Sequence, residues 1–284
     1  EQLRSALGAE LRALDRVRGG CIHETYCAEL RDGQRVFAKA SGRDTPGIFE
    51  AEAEGLRALA ANGSARVPAV LHAGPALLIL EWIDPVEARG AERNAASLAR
   101  ALAELHQTAS AARYGFAHDN YLGATPQPNA WRDDWPTFCA EMRLEDQLRR
   151  ARSNGFDGEI QRLGARLLAR LEQILGAGDE KPALIHGDLW SGNFFFDGAG
   201  AAVLVDPACS YSSREAEFGM LTLFGGLGQS FYDAYDEAYP RAAGADERIA
   251  IYRLHHLLNH LNLFGASYAA DCLAILRRFA GDTR

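Results

Sequence analysis

The stretch "HGDLWSGN", residues 186–193, decides how the rest of the chain is read. It follows a short apolar run, "ALI", and carries Asp188 and Asn193 five positions apart, with glycines at 187 and 192. A second acid, Asp206, closes "AVLVD" thirteen residues after the Asn. Folding 194–205 as a hairpin brings Asp206 back beside Asn193. An Asp and an Asn side by side offer hard oxygen ligands that suit Mg²⁺. Asp188, at the front edge of the loop, is then free to accept a proton from a hydroxyl. A base Asp, a metal-binding Asn and a metal-binding Asp after a hairpin follow in the order of a phosphoryl-transfer catalytic loop. Turn capping would account for one Asp–Asn pair, but not for the whole set.

Phosphoryl transfer from ATP needs further parts. "GGCIHETY" puts Gly19 and Gly20 in a turn between the first two strands, where backbone N–H groups can cover phosphates. Lys39 ends the third strand, in "VFAKA", and is one of only two lysines among 30 basic residues. Its ammonium is placed to reach the α- and β-phosphates, held by a carboxylate of the next helix. Glu50, Glu52 and Glu54 are the candidates; alignment of "EAEGLRAL" with kinase-like helices selects Glu52, then Glu54. "LLILEWI" fits the strand that leads to a hinge, where the backbone from Glu81 to Ile83 would hydrogen-bond adenine.

Working outward, residues 1–14 read as a helix. Alternating segments punctuated by Gly19-Gly20 and Asp32-Gly33 read as antiparallel hairpins. A helix then runs from Pro46 to Gly63. Two more strands bring the first lobe, residues 1–83, to a small sheet carrying one helix. Residues 84–284 form the second lobe, with helices over "AERNAASLARALAELHQTA" (91–109), 132–151, 157–176, 214–225 and 245–280 in two pieces. Residues 110–131 read as a long loop. The fold class is α+β, with a small antiparallel-sheet N-lobe and a mostly helical C-lobe.

The 284 residues are 48% apolar, with a net charge of −8, and nothing suggests the basic face of a nucleic-acid binder. No apolar run approaches the roughly 20 residues of a membrane span, and the first residues lack a signal-peptide pattern. Five scattered cysteines point to reduced thiols and a cytoplasmic location.

"HGDLWSGN", "VDPACSYSSREAEFGML" and "LLNHLNLFG" together resemble the fructosamine-3-kinase (ketosamine-3-kinase) family, relatives of aminoglycoside phosphotransferases with a protein-kinase-like fold. The resemblance covers nearly the whole chain. It implies ATP and Mg²⁺ as cofactors, and phosphorylation of the sugar 3-hydroxyl of free or protein-bound ketosamines, which leads to deglycation. It makes Asp188 the base, Asn193 and Asp206 the metal ligands, and Lys39 with Glu52 the pair that positions ATP. The usual Asp-Phe-Gly is here Asp206-Pro207-Ala208. The rivals are a kinase of another hydroxylated amine, such as an aminoglycoside or choline, and a pseudokinase-like binding module.

Several residues extend this reading. Trp190, two positions after the base, would stand at the mouth of the site, stacking on a sugar or packing the lobes. His255, Asn259 and Asn262 share one helical face toward the substrate, with Leu254, Leu257, Leu261 and Phe264 on an apolar one. His256 and His260 have a zinc-compatible spacing but no third ligand in view. Cys21, in the glycine-rich turn near N–H donors, is a candidate redox-sensitive thiol, able to link two chains into a homodimer; otherwise the chain is expected to be a monomer. Cys27 is expected to face the core.

Overall fold

The computed structural model describes residues 2–17, 23–41, 45–86, 91–176 and 180–281. Gly19, Gly20 and Cys21 lie outside them, and with them the expectations placed on the glycine-rich turn and its thiol. Strands β1 (Leu11–Arg16), β2 (Glu24–Leu30), β3 (Arg35–Ala40), β4 (Val70–Gly74) and β5 (Leu77–Glu81) form one antiparallel sheet in the order β1-β2-β3-β5-β4. Alternate residues of β5 divide between two cores, as the pleat requires. Leu77 and Ile79 join Ala28, Val36 and Ala38 on one face, which α1 (Gln2–Leu7) covers through Leu3, Ala6 and Leu7. Leu78 and Leu80 join the main core on the other face, under Phe49, Leu56 and Leu59 of α2 (Ile48–Asn62).

The N-terminal helix is shorter than its periodicity suggests. Gly8, at φ 60°, follows the last helical residue in the left-handed conformation that ends helices, and Leu11–Arg16 pairs with β2 as an edge strand. Cys27 is half-buried on β2 opposite Phe37, not a core residue.

The second part holds α3 (Ala91–Thr108), α4 (Trp135–Phe138), a π-helical segment Cys139–Glu145, α5 (Asp146–Ser153), α6 (Glu159–Leu168) and α7 (Leu171–Leu175). After the loop 186–193 and its hairpin come α8 (Glu217–Leu221), α9 (Gln229–Ala238), α10 (Ala245–Phe264) and α11 (Ala269–Phe279). Helix α9, which the sequence reading passed over, buries Phe231, Ala234 and Tyr235 and packs along α3. The segment 110–131 is not a structureless loop. It contains a hairpin, β6 (Asn120–Leu122) and β7 (Thr125–Gln127), whose Asn120 amide donates to the Cys209 carbonyl at 2.8 Å. Two small antiparallel pairs carry the site: β8 (Ala183–Ile185) with β11 (Ser210–Ser212), and β9 (Phe194–Phe196) with β10 (Ala202–Leu204). Among the described residues no helix is long and apolar enough to cross a membrane.

Candidate active site

Strand β8 delivers the chain into the loop 186–193, and both of its glycines are explained by contact. Gly187 sits at φ 81°, where a Cβ would meet the Ala208 carbonyl oxygen at 2.3 Å. That carbonyl belongs to the segment entering β11, whose Ala208 N–H donates to His186 O at 2.8 Å. Gly192 lies against the Trp190 ring, and a Cβ there would meet it at 2.4 Å. His186 is fully buried. Its Nε2–H donates to Val205 O at 2.8 Å, and its Nδ1 accepts the Asp188 N–H at 3.2 Å. Burial lowers its pKa, so the ring stays neutral and keeps that acceptor.

Underneath the loop lies a carboxylate that the sequence reading missed. Glu217, 1% exposed, accepts the His186 N–H at 2.6 Å and the Gly187 N–H at 3.0 Å. Burial alone would raise its pKa, but His106, 3.6 Å away, and His186 hold it below the ordinary value. His106 is itself fixed by Tyr235 at 2.8 Å. Nothing local marks Glu217 in the sequence beyond an acid heading an apolar stretch, "EFGMLTLF".

The hairpin β9–β10 closes as the spacing predicts, with Val205 N–H donating to Asn193 O at 3.0 Å. The Asn193 amide donates to the Asp188 backbone oxygen at 2.8 Å and to Asp188 Oδ2 at 3.2 Å. Asp188 lies in the cleft with its carboxyl pKa raised well above the usual carboxylate value. Burial is the first cause and the charge of Asp206 the second, opposed by the Asn193 hydrogen bond. Asp206 is the single non-glycine residue at positive φ among those described, at 58°. Asp tolerates this conformation at a cost of about 1–3 kcal/mol, the kind of strain that clusters at functional sites.

Lys39 is 5% exposed and paired twice. Its Nζ bonds Glu52 Oε1 at 2.7 Å and also Asp206 Oδ1. Burial works against its ammonium, but the two carboxylates prevail and raise its pKa. Burial pushes the Glu52 carboxyl up to about 7, with Lys39 pulling it down and Asp206 pushing it up. Glu54 instead faces His118 at 3.0 Å, and Glu50 is exposed. Strands, helix α2 and the loop after β10 thus converge on one charged cluster.

These residues line a cleft of about 770 Å³ together with Glu81 and Ile83 at the end of β5, and with Trp190, His256, Asn259 and His260. Glu81's side chain is tied to Arg66 at 2.6 Å and to the Ala69 N–H at 3.1 Å. Two of the expected substrate-side residues lie elsewhere. His255 borders a separate small cavity behind the loop and faces Gln127 at 3.3 Å. Asn262 donates to Gln147 Oε1 at 2.8 Å and does not line the cleft. Phe264, on the apolar helical face, is 59% exposed at the helix end and lines the cleft. His260 Nδ1 bonds the His256 carbonyl at 2.8 Å, and among the described residues no trio of His, Cys, Asp or Glu suited to a metal is found.

A family model described as fructosamine kinase matches residues 1–280 of the chain. A Synechocystis protein named "Probable ketoamine kinase" is 39% identical over 288 residues, 98% of this chain and 94% of the relative. The chloroplastic protein-ribulosamine 3-kinase of Arabidopsis thaliana is 38% identical, covering 94% of this chain and 82% of that one. Among solved structures, a candidate fructosamine-3-kinase of Thermobifida fusca superposes with a TM-score of 0.88 at 36% identity, over 97% of this chain and 96% of that one. An aminoglycoside phosphotransferase reaches a TM-score of 0.68 at 17% identity, covering 99% of each chain, a likeness of fold.

Proposed function

The chain belongs to the fructosamine kinase family, and from that premise and the cleft we infer that it transfers the γ-phosphate of ATP to the sugar 3-hydroxyl of ketosamines. The product is unstable, so the net effect is deglycation. One observation carries the mechanism: Lys39, Glu52 and Asp206 already form one bonded cluster, with Asp188 and Asn193 bonded beside it.

Residues 1–83 cover the nucleotide and residues 84–284 supply the base and the acceptor site. The backbone from Glu81 to Ile83 holds adenine, and Lys39, fixed by Glu52, takes the phosphates. Asp188 accepts the hydroxyl proton and orients the oxygen for in-line attack, so the rate comes mainly from positioning and charge neutralisation.

The donor set suits Mg²⁺. Asn193 commits its amide nitrogen to Asp188, which leaves Oδ1 without a partner among the described residues, and Asp206 has a second carboxylate oxygen beyond the one on Lys39. These are hard oxygens, the kind Mg²⁺ takes alongside phosphate and water. Mg²⁺ bound by Asn193 and Asp206 would neutralise charge on the phosphates. Burial first, and then the charges of Asp206 and Glu217, raise the Asp188 pKa, with the Asn193 hydrogen bond opposing them.

The test is a coupled ATPase assay over fructoselysine, ribuloselysine, kanamycin and choline, with phosphorus NMR of the fresh product. Turnover on the ketosamines with phosphate on the 3-hydroxyl is the expected result. Turnover on kanamycin or choline alone would replace this reading with one of the rival acceptors, and phosphate on another hydroxyl would refute the regiochemistry.

A further inference from the structure

The acceptor end of the cleft is a chain of rings. Trp190 lies 5.6 Å from Phe224, and Phe224 lies 5.5 Å from His260. His260 in turn lies 5.5 Å from Phe264 and 5.1 Å from Tyr268. Phe224 is 51% exposed and Phe264 59%, and Leu263 beside it is 38% exposed. Contiguous apolar exposure of this kind marks a binding surface, and this one is continuous with the cleft that holds Asp188. The ring cluster itself, Trp190, Phe224, His260, Phe264 and Tyr268 with Leu263, contains no charged side chain.

The imidazole at the centre has a defined tautomer. A carbonyl oxygen only accepts, so the 2.8 Å contact with the His256 carbonyl places the proton on His260 Nδ1. In the neutral ring Nε2 is then a bare acceptor, and none of the described residues bonds to it. Burial lowers the His260 pKa, which keeps the ring neutral near pH 7. Ring faces attract cations, and a lone pair accepts from an N–H. A substituted ammonium meets both demands, while a carboxylate meets neither.

We propose that His260, boxed by Phe224, Phe264 and Tyr268, is the subsite for the ketosamine nitrogen. Nε2 accepts its N–H, the ring faces attract its charge, and Leu263 and Phe264 at the rim take the hydrocarbon chain that the nitrogen carries. The acceptor class is a ketosamine on a singly charged alkylamine, such as a lysine side chain. The further charges of a polycation would find no carboxylate within this ring cluster. This rests on the ketosamine reading above and names the part of the substrate that reading leaves open.

The experiment compares two fructose derivatives of equal length: the 1-alkylamino ketosamine of hexylamine and the 1-O-alkyl ether, which lacks the N–H and the charge. The wild type is expected to favour the amine in kcat/KM by roughly tenfold or more, the scale of one hydrogen bond to a charged group. His260→Phe, which keeps a ring and loses the lone pair, should bring the ratio near one through KM for the amine, with KM for ATP unchanged. His260→Gln, whose amide oxygen replaces the acceptor, should recover part of the preference. Phe264→Ala, an exposed truncation that tests the rim without threatening the fold, should raise KM for the amine several-fold. An amine-to-ether ratio equal in wild type and His260→Phe would overturn the subsite, as would an unchanged KM in Phe264→Ala. Phosphorylation of neither compound by the wild type would refute the ketosamine reading itself, and the subsite with it.

Discussion

At one end of the cleft, Lys39 and Glu52 from the sheet lobe meet Asp188, Asn193 and Asp206 from the helical lobe, every one of them hydrogen-bonded. At the other end, Trp190, Phe224, His260 and Phe264 all come from the helical lobe and meet mainly as rings. The polar end needs both lobes and tolerates little displacement, because charges and hydrogen bonds depend steeply on geometry. The aromatic end needs one lobe, and its contacts depend on area and face. The proposed chemistry thus sits at the join between lobes, and the proposed amine subsite on a surface that can vary without disturbing it.

Substitutions should separate the two ends. Asp206→Ala is expected to have the largest effect, abolishing Mg²⁺-dependent nucleotide binding and turnover together. A Mg²⁺ titration of nucleotide affinity measures it, and unchanged affinity and rate would make Asp206 structural. Asp188→Asn should lower turnover by about 10²–10⁴ while ATP still binds, because only the base is lost. Calorimetric ATP affinity beside kcat decides this, and near-normal turnover would remove Asp188 from its role.

Gly187→Ala tests what lies beneath the polar end. A Cβ at φ 81°, 2.3 Å from a carbonyl oxygen, should destabilise the fold by about 2–3 kcal/mol, read as a lower Tm. Glu217→Gln keeps the size of the side chain but weakens its grip on the His186 and Gly187 amides. We expect kcat to fall roughly tenfold with KM for the ketosamine unchanged, since the loop and not the acceptor pocket is loosened. Equal changes in both constants would show that the two ends are coupled.

The smallest effect lies in the wall between the ends. His256 borders both the cleft and the cavity behind the loop, and its pKa is lowered to about 3. Burial is the main cause, reinforced by His260 and Arg143 and opposed by Glu217. Its pKa is depressed in the folded state, so its contribution to stability is present above the unfolded histidine value near 6.5 and lost as pH falls toward 3. His256→Gln should flatten that decline in urea midpoints between pH 6.5 and 4, and an unchanged slope would assign the decline to other groups.

The polar end was largely legible in the sequence because its residues lie in short local patterns. Loop, hairpin and acid are contiguous from 186 to 206, and the structure pairs Lys39 with Glu52, the glutamate selected first. What escaped depends on partners distant in the chain. Glu217 acquires meaning only when α8 passes beneath β8, and Asn262 turns to Gln147 because α5 packs on α10. Helical periodicity put Phe264 on one face with Leu254, Leu257 and Leu261, and the structure buries the leucines but leaves Phe264 exposed at the helix end. The hairpin β6–β7 went unread because its buried Asn120 and Gln127 satisfy each other, at 2.9 Å, and so break the usual apolar alternation.

The contact between Gly55 and Pro207 has a consequence for control. A Cβ on Gly55 would lie 3.0 Å from the proline ring, and Cys209 Sγ donates to the Gly55 carbonyl at 3.6 Å, so α2 rests directly on the segment that follows Asp206. Kinases governed by phosphorylation make the corresponding helix swing, and they are silent while it is displaced. Here the helix is seated against the segment that follows Asp206, with its glutamate on Lys39. Swinging α2 outward would have to break its contacts with Pro207 and Cys209 together with the Lys39–Glu52 pair, so any displacement of that helix is tied to the loop that carries Asp206.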